Sequence, residues 1–135
     1  MHTSIITLFL FATALHAGVF TNYEVNSYAA GKKFVSTVTG ERVLKTPVWR
    51  VDADSPPLAP RKAEHLATAK FQQLISDTKD WKLQGITLED AGDGLHWVYV
   101  IQFTQAGTWS GPAPFLKVIV LMDGTVVEPK IRDNK

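Results

Sequence analysis

Few side chains in this sequence have the type and spacing to do acid–base or metal chemistry. Two histidines follow residue 17, His65 and His96. A zinc site built on them needs further ligands, for which Asp90 and Asp93 are the nearest candidates. The sequence does not bring these four together, so both histidines read as polar face residues. The stretches "DADS" (52–55) and "EDAGDG" (89–94) are acidic but lack the Asp-x-Asp-x-Asp-Gly spacing with a distal Glu that wraps calcium, and they read as solvated turns. No Gly-x-Ser-x-Gly elbow occurs; "WSG" at 109–111 is a loop fragment. The chain contains no Cys, which removes thiol chemistry and disulfides alike. No Gly-rich phosphate loop is present, and the remaining carboxylates sit in turns or on polar faces. No catalytic, cofactor-binding or metal residue is therefore assigned, and the expectation is a protein that is not an enzyme and uses no cofactor.

The elements that carry these residues are more legible. "DADSPPLAP" (52–60) breaks the chain, because its prolines bar helix or sheet continuation, and Pro60 suits the first position of a helix. From Arg61 to about Asp77, the residues Ala63, Leu66, Ala67, Phe71, Leu74 and Ile75 recur at helical spacing, with Arg61, Lys62, Glu64, Thr68, Gln72 and Gln73 opposite. The spacing predicts an amphipathic helix with a single apolar stripe.

Strands follow it. In "WKLQGITLED" (81–90) the apolar phase changes at Gly85, and a bulge there reconciles Trp81 and Leu83 with Ile86 and Leu88. "LHWVYVIQFTQ" (95–105) alternates Trp97, Tyr99, Ile101 and Phe103 against His96, Val98, Val100 and Gln102. "FLKVIVLMDGTVVEPK" (115–130) reads as strand, Asp123-Gly124 hairpin turn, strand. Before the proline break, "FVSTVTGERVLKTPVWRV" (34–51) suggests two short strands about the turn at Thr39 to Arg42, the second belonging at a sheet edge or splitting at Pro47, which cannot donate to a ladder. Residues 18–33 show scattered aromatics without a clean period and read as a lead segment of uncertain order. Within it, "GKKF" (31–34) is the only adjacent Lys pair and reads as a solvated turn.

Residues 1–17 hold an apolar run from Ile5 to about Leu15 with small residues around it and no Lys, Arg, Asp or Glu. This is the pattern of a secretory signal peptide, cut after Ala17 or, alternatively, after Ala14. The run is shorter than the roughly 18 to 20 residues that span a bilayer. The expectation is a secreted or periplasmic protein with no membrane span once the signal is removed. The domain plan is a signal at 1–17, the lead segment at 18–33 and a single domain at 34–135. Charge is nearly balanced at a formal +1 and interspersed along the chain, which offers no electrostatic case for nucleic acid or an anionic membrane.

The fold class that results is α+β: one amphipathic helix packed on an antiparallel meander of about four to five strands. The helix opening "LAPRKAEHLA", the strand "WVYVIQF" and the terminal "KVIVLMDGTVV" together resemble small secreted bacterial domains of the PepSY-like kind, and more distantly the cystatin-like arrangement. The resemblance covers roughly Leu58 to Val127. It implies a secreted or membrane-bound regulatory or inhibitory module that binds rather than catalyses. The Gln-x-Val-x-Gly loop of protease-inhibiting cystatins is missing, so no inhibitory residue carries over.

One helix covers one face of a sheet, yet both phases of "WVYVIQF" and "FLKVIVLM" are apolar. Either residues of 18–51 fold over the second face, or part of that face is exposed as a partner surface. The candidates for such a surface are Val98, Val100 and Trp109. The function expected is a non-catalytic binding or regulatory module of the cell envelope, its partner a protein or peptide there or a second copy of itself. A structural homo-oligomer is the alternative, and a small hydrolase without a recognisable motif is a third.

Overall fold

The computed structural model describes residues 18–133; the expected signal peptide lies outside them. The elements are β1 (Asn22–Ala29), β2 (Lys32–Thr39), α1 (Gly40–Leu44), α2 (Pro60–Leu74), β3 (Trp81–Asp90), β4 (Trp97–Gln105), β5 (Phe115–Leu121) and β6 (Lys130–Asp133). The six strands form one antiparallel sheet in the order β3-β4-β5-β1-β2-β6. This corrects the expected fold class. Among the described residues the protein is mostly sheet, six strands with two short helices, rather than one helix on a four-to-five-stranded meander.

The added strands come from the region that looked unpatterned. In β1 every second residue, Tyr23, Val25, Ser27 and Ala29, turns to one face, but two of the four are small or polar, which hides the period of two. The lead segment is thus a hairpin with β2. The second strand expected before Pro47 is instead the short helix α1. Thr39 caps it, its Oγ1 accepting from the Arg42 N–H at 3.2 Å. Gly40 opens that helix because a Cβ there would stand 1.9 Å from the Phe20 carbonyl oxygen, so only glycine lets the two backbones approach.

The expected helix face holds. Ala63, Ala67 and Phe71 of α2 pack on Tyr99, Ile101 and Phe103 of β4 and Leu116, Val118 and Val120 of β5. Phe71 stacks on Phe103 with centroids 4.4 Å apart, and the buried Tyr99 hydroxyl donates to the Leu58 carbonyl at 2.7 Å. Each large apolar side chain removed from water here contributes about 1.5 to 3 kcal/mol. The helix begins at Pro60 as expected but ends at Leu74, short of Asp77, with Ile75 turning away in extended conformation. The bulge also appears where the phase changes, the β3–β4 register shifting between Leu83 and Gly85.

Sharing of the β5 edge decides the rest. The Leu121 N–H donates to the Thr125 carbonyl at 2.8 Å and the Val127 N–H donates to the Ile119 carbonyl at 2.9 Å, so residues 125–127 occupy one half of that edge. Only Tyr28↔Phe115 joins β1 to the other half. Next to that bridge the Ser27 hydroxyl accepts the Lys117 N–H at 2.8 Å, supplying the acceptor that a departing backbone no longer provides. Beyond it the β1–β2 hairpin leaves the plane. Ala29 and Phe34 belong to the core under α2, whereas Val25 and Val38, on the same hairpin face, pack against Val98, Ile119 and Leu121 on the opposite side of the sheet. A hairpin that lifts out of the sheet and lies over it produces this exchange. With Val19, Phe20, Val43 and Val127, it builds a second core.

The turn after β5 also differs from a two-residue Asp-Gly hairpin. The Gly124 N–H donates to the Leu121 carbonyl at 2.9 Å, and only Gly124, at φ +88°, is left-handed. That is a turn over Leu121–Gly124 closed by a bulge glycine. The segment after it touches β5 and then crosses to become β6 beside β2.

Candidate functional site

The residues first suspected of chemistry are built into structure. Asp93 accepts from the backbone N–H groups of Leu95 (2.9 Å) and His96 (2.8 Å) with one oxygen, and its other oxygen meets His96 Nδ1 at 2.6 Å. Burial works to raise the Asp93 pKa, but the hydrogen bonds from His96 and Leu95 prevail and hold it below the ordinary carboxylate value. Asp90 Oδ1 accepts from Gly92 and Gly94, at 2.8 and 3.0 Å. Both carboxylates thereby tie the β3–β4 loop. His65 stands on the exposed side of α2. Among the described residues no group of three or more His, Cys, Asp or Glu is placed to hold a metal ion.

The partner-surface candidates separate. Val98 is 0 % exposed, because the hairpin and its neighbours lie over it in the second core, and Val100 is 7 % exposed; neither side chain is available to a partner. The physical reason is the departure of β1 at Ser27, which converts a free face into a second core. Trp109 is 43 % exposed in the loop after β4, its ring folded back against Gly107.

What the hairpin leaves uncovered is the other half of that face. The register places Lys82, Thr104, Phe115, Tyr28, Lys33 and Arg132 in one row across all six strands, each the cross-strand partner of the next. Side chains of such partners share a face. Beside this row lie Gln84, Gln102 and Lys117, where Gln84 Oε1 accepts from Gln102 at 3.3 Å and also from Thr104. Lys130, facing Val35, completes the basic side at β6.

The centre of the row is aromatic. Tyr28, 41 % exposed, meets Phe115 edge to face with centroids 6.1 Å apart. Lys33 Nζ stands 5.9 Å from the Tyr28 ring and Lys117 Nζ 5.8 Å from the Phe115 ring, each within cation–π reach. The two rings also form one wall of an apolar groove of about 300 Å³ between the β1–β2 turn and residues 112–115.

No protein-family model, curated protein or solved structure matches this chain. The site therefore rests on its own geometry. It can attract negative charge and accept a small apolar group.

Sequence reasoning missed this row for a definable reason. Lys33 was in view as part of "GKKF", and Phe115 opens the most readable strand, yet their neighbourhood depends on register across strands far apart in the chain. The available signal was the alternation in "YAAGKKF" (28–34), with Tyr28 and Lys33 placed to pair about a tight turn.

Proposed function

We propose that the protein is a non-catalytic binding or regulatory module of the cell envelope, exported by the signal at residues 1–17. Its binding surface is the uncovered half of the second sheet face. The observation that carries this is the aromatic pair Tyr28–Phe115 set among Lys33, Lys117 and Arg132 beside an apolar groove. The rest of the same face is covered, and the aromatic pair with its lysines lies on the half that is not. The resemblance of residues 58–127 to PepSY-like domains, which implies binding, points the same way. No helix among the described residues is long and apolar enough to cross a membrane.

The test is capture from envelope extract by the tagged protein and by two double variants, Tyr28→Ala with Phe115→Ala and Lys33→Glu with Lys117→Glu. These residues are half-buried or exposed, so the variants are expected to fold and to lose captured species that the parent retains. Identical capture by parent and variants refutes the surface. Sedimentation across a concentration series addresses the structural homo-oligomer, which requires self-association of the purified protein without any other component.

A further inference from the structure

Resting on the surface just described, we infer that its ligand is an acidic peptide segment carrying one apolar or aromatic side chain. The first ground is charge complementarity. Lys33, Lys82, Lys117, Lys130 and Arg132 gather on this half-face, although the chain carries a formal charge of only +1. The cross-strand rows through them contain no carboxylate. None of the five is in an ion pair among the described residues, whose salt bridges join other partners. Glu24, on the outer side of β1, is four residues from Tyr28 and faces Thr37 instead. Clustered cations without counter-charges favour an anionic ligand and speed its encounter.

The second ground is the groove. Ala30, Lys32, Pro112, Pro114, Tyr28 and Phe115 line about 300 Å³, room for one apolar side chain beside the aromatic centre of the basic row. The third separates a peptide from other polyanions. Both rings of the pair already carry a lysine ammonium and they meet edge to face, so a nucleobase finds no bare plane of this pair on which to stack. Phe115 lies half-buried within the sheet, which leaves it unable to insert among lipid chains. A peptide satisfies both halves of the site, carboxylates on the ammonium and guanidinium groups and one apolar side chain in the groove.

The experiment titrates fluorescent probes into the purified protein. The probes are a short synthetic peptide of Glu and Ser with one central Phe, the same peptide with Ala for Phe, the same with Lys for every Glu, phosphatidylglycerol vesicles, and a deoxythymidine oligomer. The Glu–Phe peptide is expected to bind saturably, and the Ala and Lys peptides about tenfold or more weaker. Lys33→Glu with Lys117→Glu is expected to weaken the Glu–Phe peptide at least about tenfold, whereas Arg61→Glu on the exposed side of α2 leaves it unchanged. Equal binding of the Glu and Lys peptides, or no saturable peptide binding, overturns the inference. Tighter binding of vesicles or oligomer, lost in the lysine variant, also overturns the peptide assignment but leaves the surface standing. Identical envelope capture by parent and lysine variant removes the surface itself.

Discussion

Replacing Ser27 by Ala tests the joint on which the fold turns. Ser27 is 1 % exposed, and its Oγ accepts the Lys117 N–H at 2.8 Å where β1 ceases to run beside β5. The substitution removes little volume and no apolar contact, so its main effect is a β5 donor left without a partner. Such a loss costs about 1 to 3 kcal/mol. Lys117 is only partly buried, and water can relieve some of the penalty, which places the expectation at about 1 to 2 kcal/mol. With a urea slope of roughly 1.5 kcal/mol per molar, the midpoint should fall by about 1 M. Thr37→Ala is the comparison, an exposed hydroxyl on the neighbouring strand whose removal should stay within about 0.5 kcal/mol. Tryptophan fluorescence in urea reads both, and amide exchange at Lys117 should rise in Ser27→Ala alone. An unchanged midpoint at unchanged slope would refute the view that this hydroxyl completes the β5 edge.

Val98→Thr should destabilise as Ile101→Thr does, each placing a hydroxyl at a position 0 % exposed, at about 1 to 3 kcal/mol; thermal melts showing Val98→Thr near neutral would mean the second core is loose. Gly124→Val should cost about 1 to 3 kcal/mol, because φ +88° resists a β-branched residue, and an unaltered denaturation midpoint would count against the bulge turn. Burial works to raise Asp123, but hydrogen bonds from Arg42, at 2.7 Å, and Thr125 hold it below its ordinary 3.8. A folded-state pKa that is depressed gives stability present in full above the unfolded value and lost as pH falls through the folded one. Asp123→Asn should therefore flatten the fall in melting temperature below about pH 4, and identical acid profiles for parent and variant would argue that Arg42 does not engage it.

The sequence by itself determined those elements whose pattern is local. α2 follows from its helical spacing and Pro60, the inward phase of β4 from the greater bulk of Trp97, Tyr99, Ile101 and Phe103, and the bulge at Gly85 from a change of phase within one strand. Each signal lies within a few residues and needs no partner to be read. The β1–β2 hairpin was obscured because Ser27 and Ala29 replace large apolar residues on its inward face, and α1 because β-branched residues flank a capped turn. Of the candidate site, only the pairing of Tyr28 with Lys33 about a tight turn was within local reading. Val98 is buried, and Tyr28, Phe115, Lys33 and Lys117 are neighbours, because β5 shares its edge between β1 and residues 125–127, forcing the hairpin out of the plane. Competition for backbone hydrogen bonds along one strand edge is a tertiary event, and it chose both the face that became core and the half-face that stayed open.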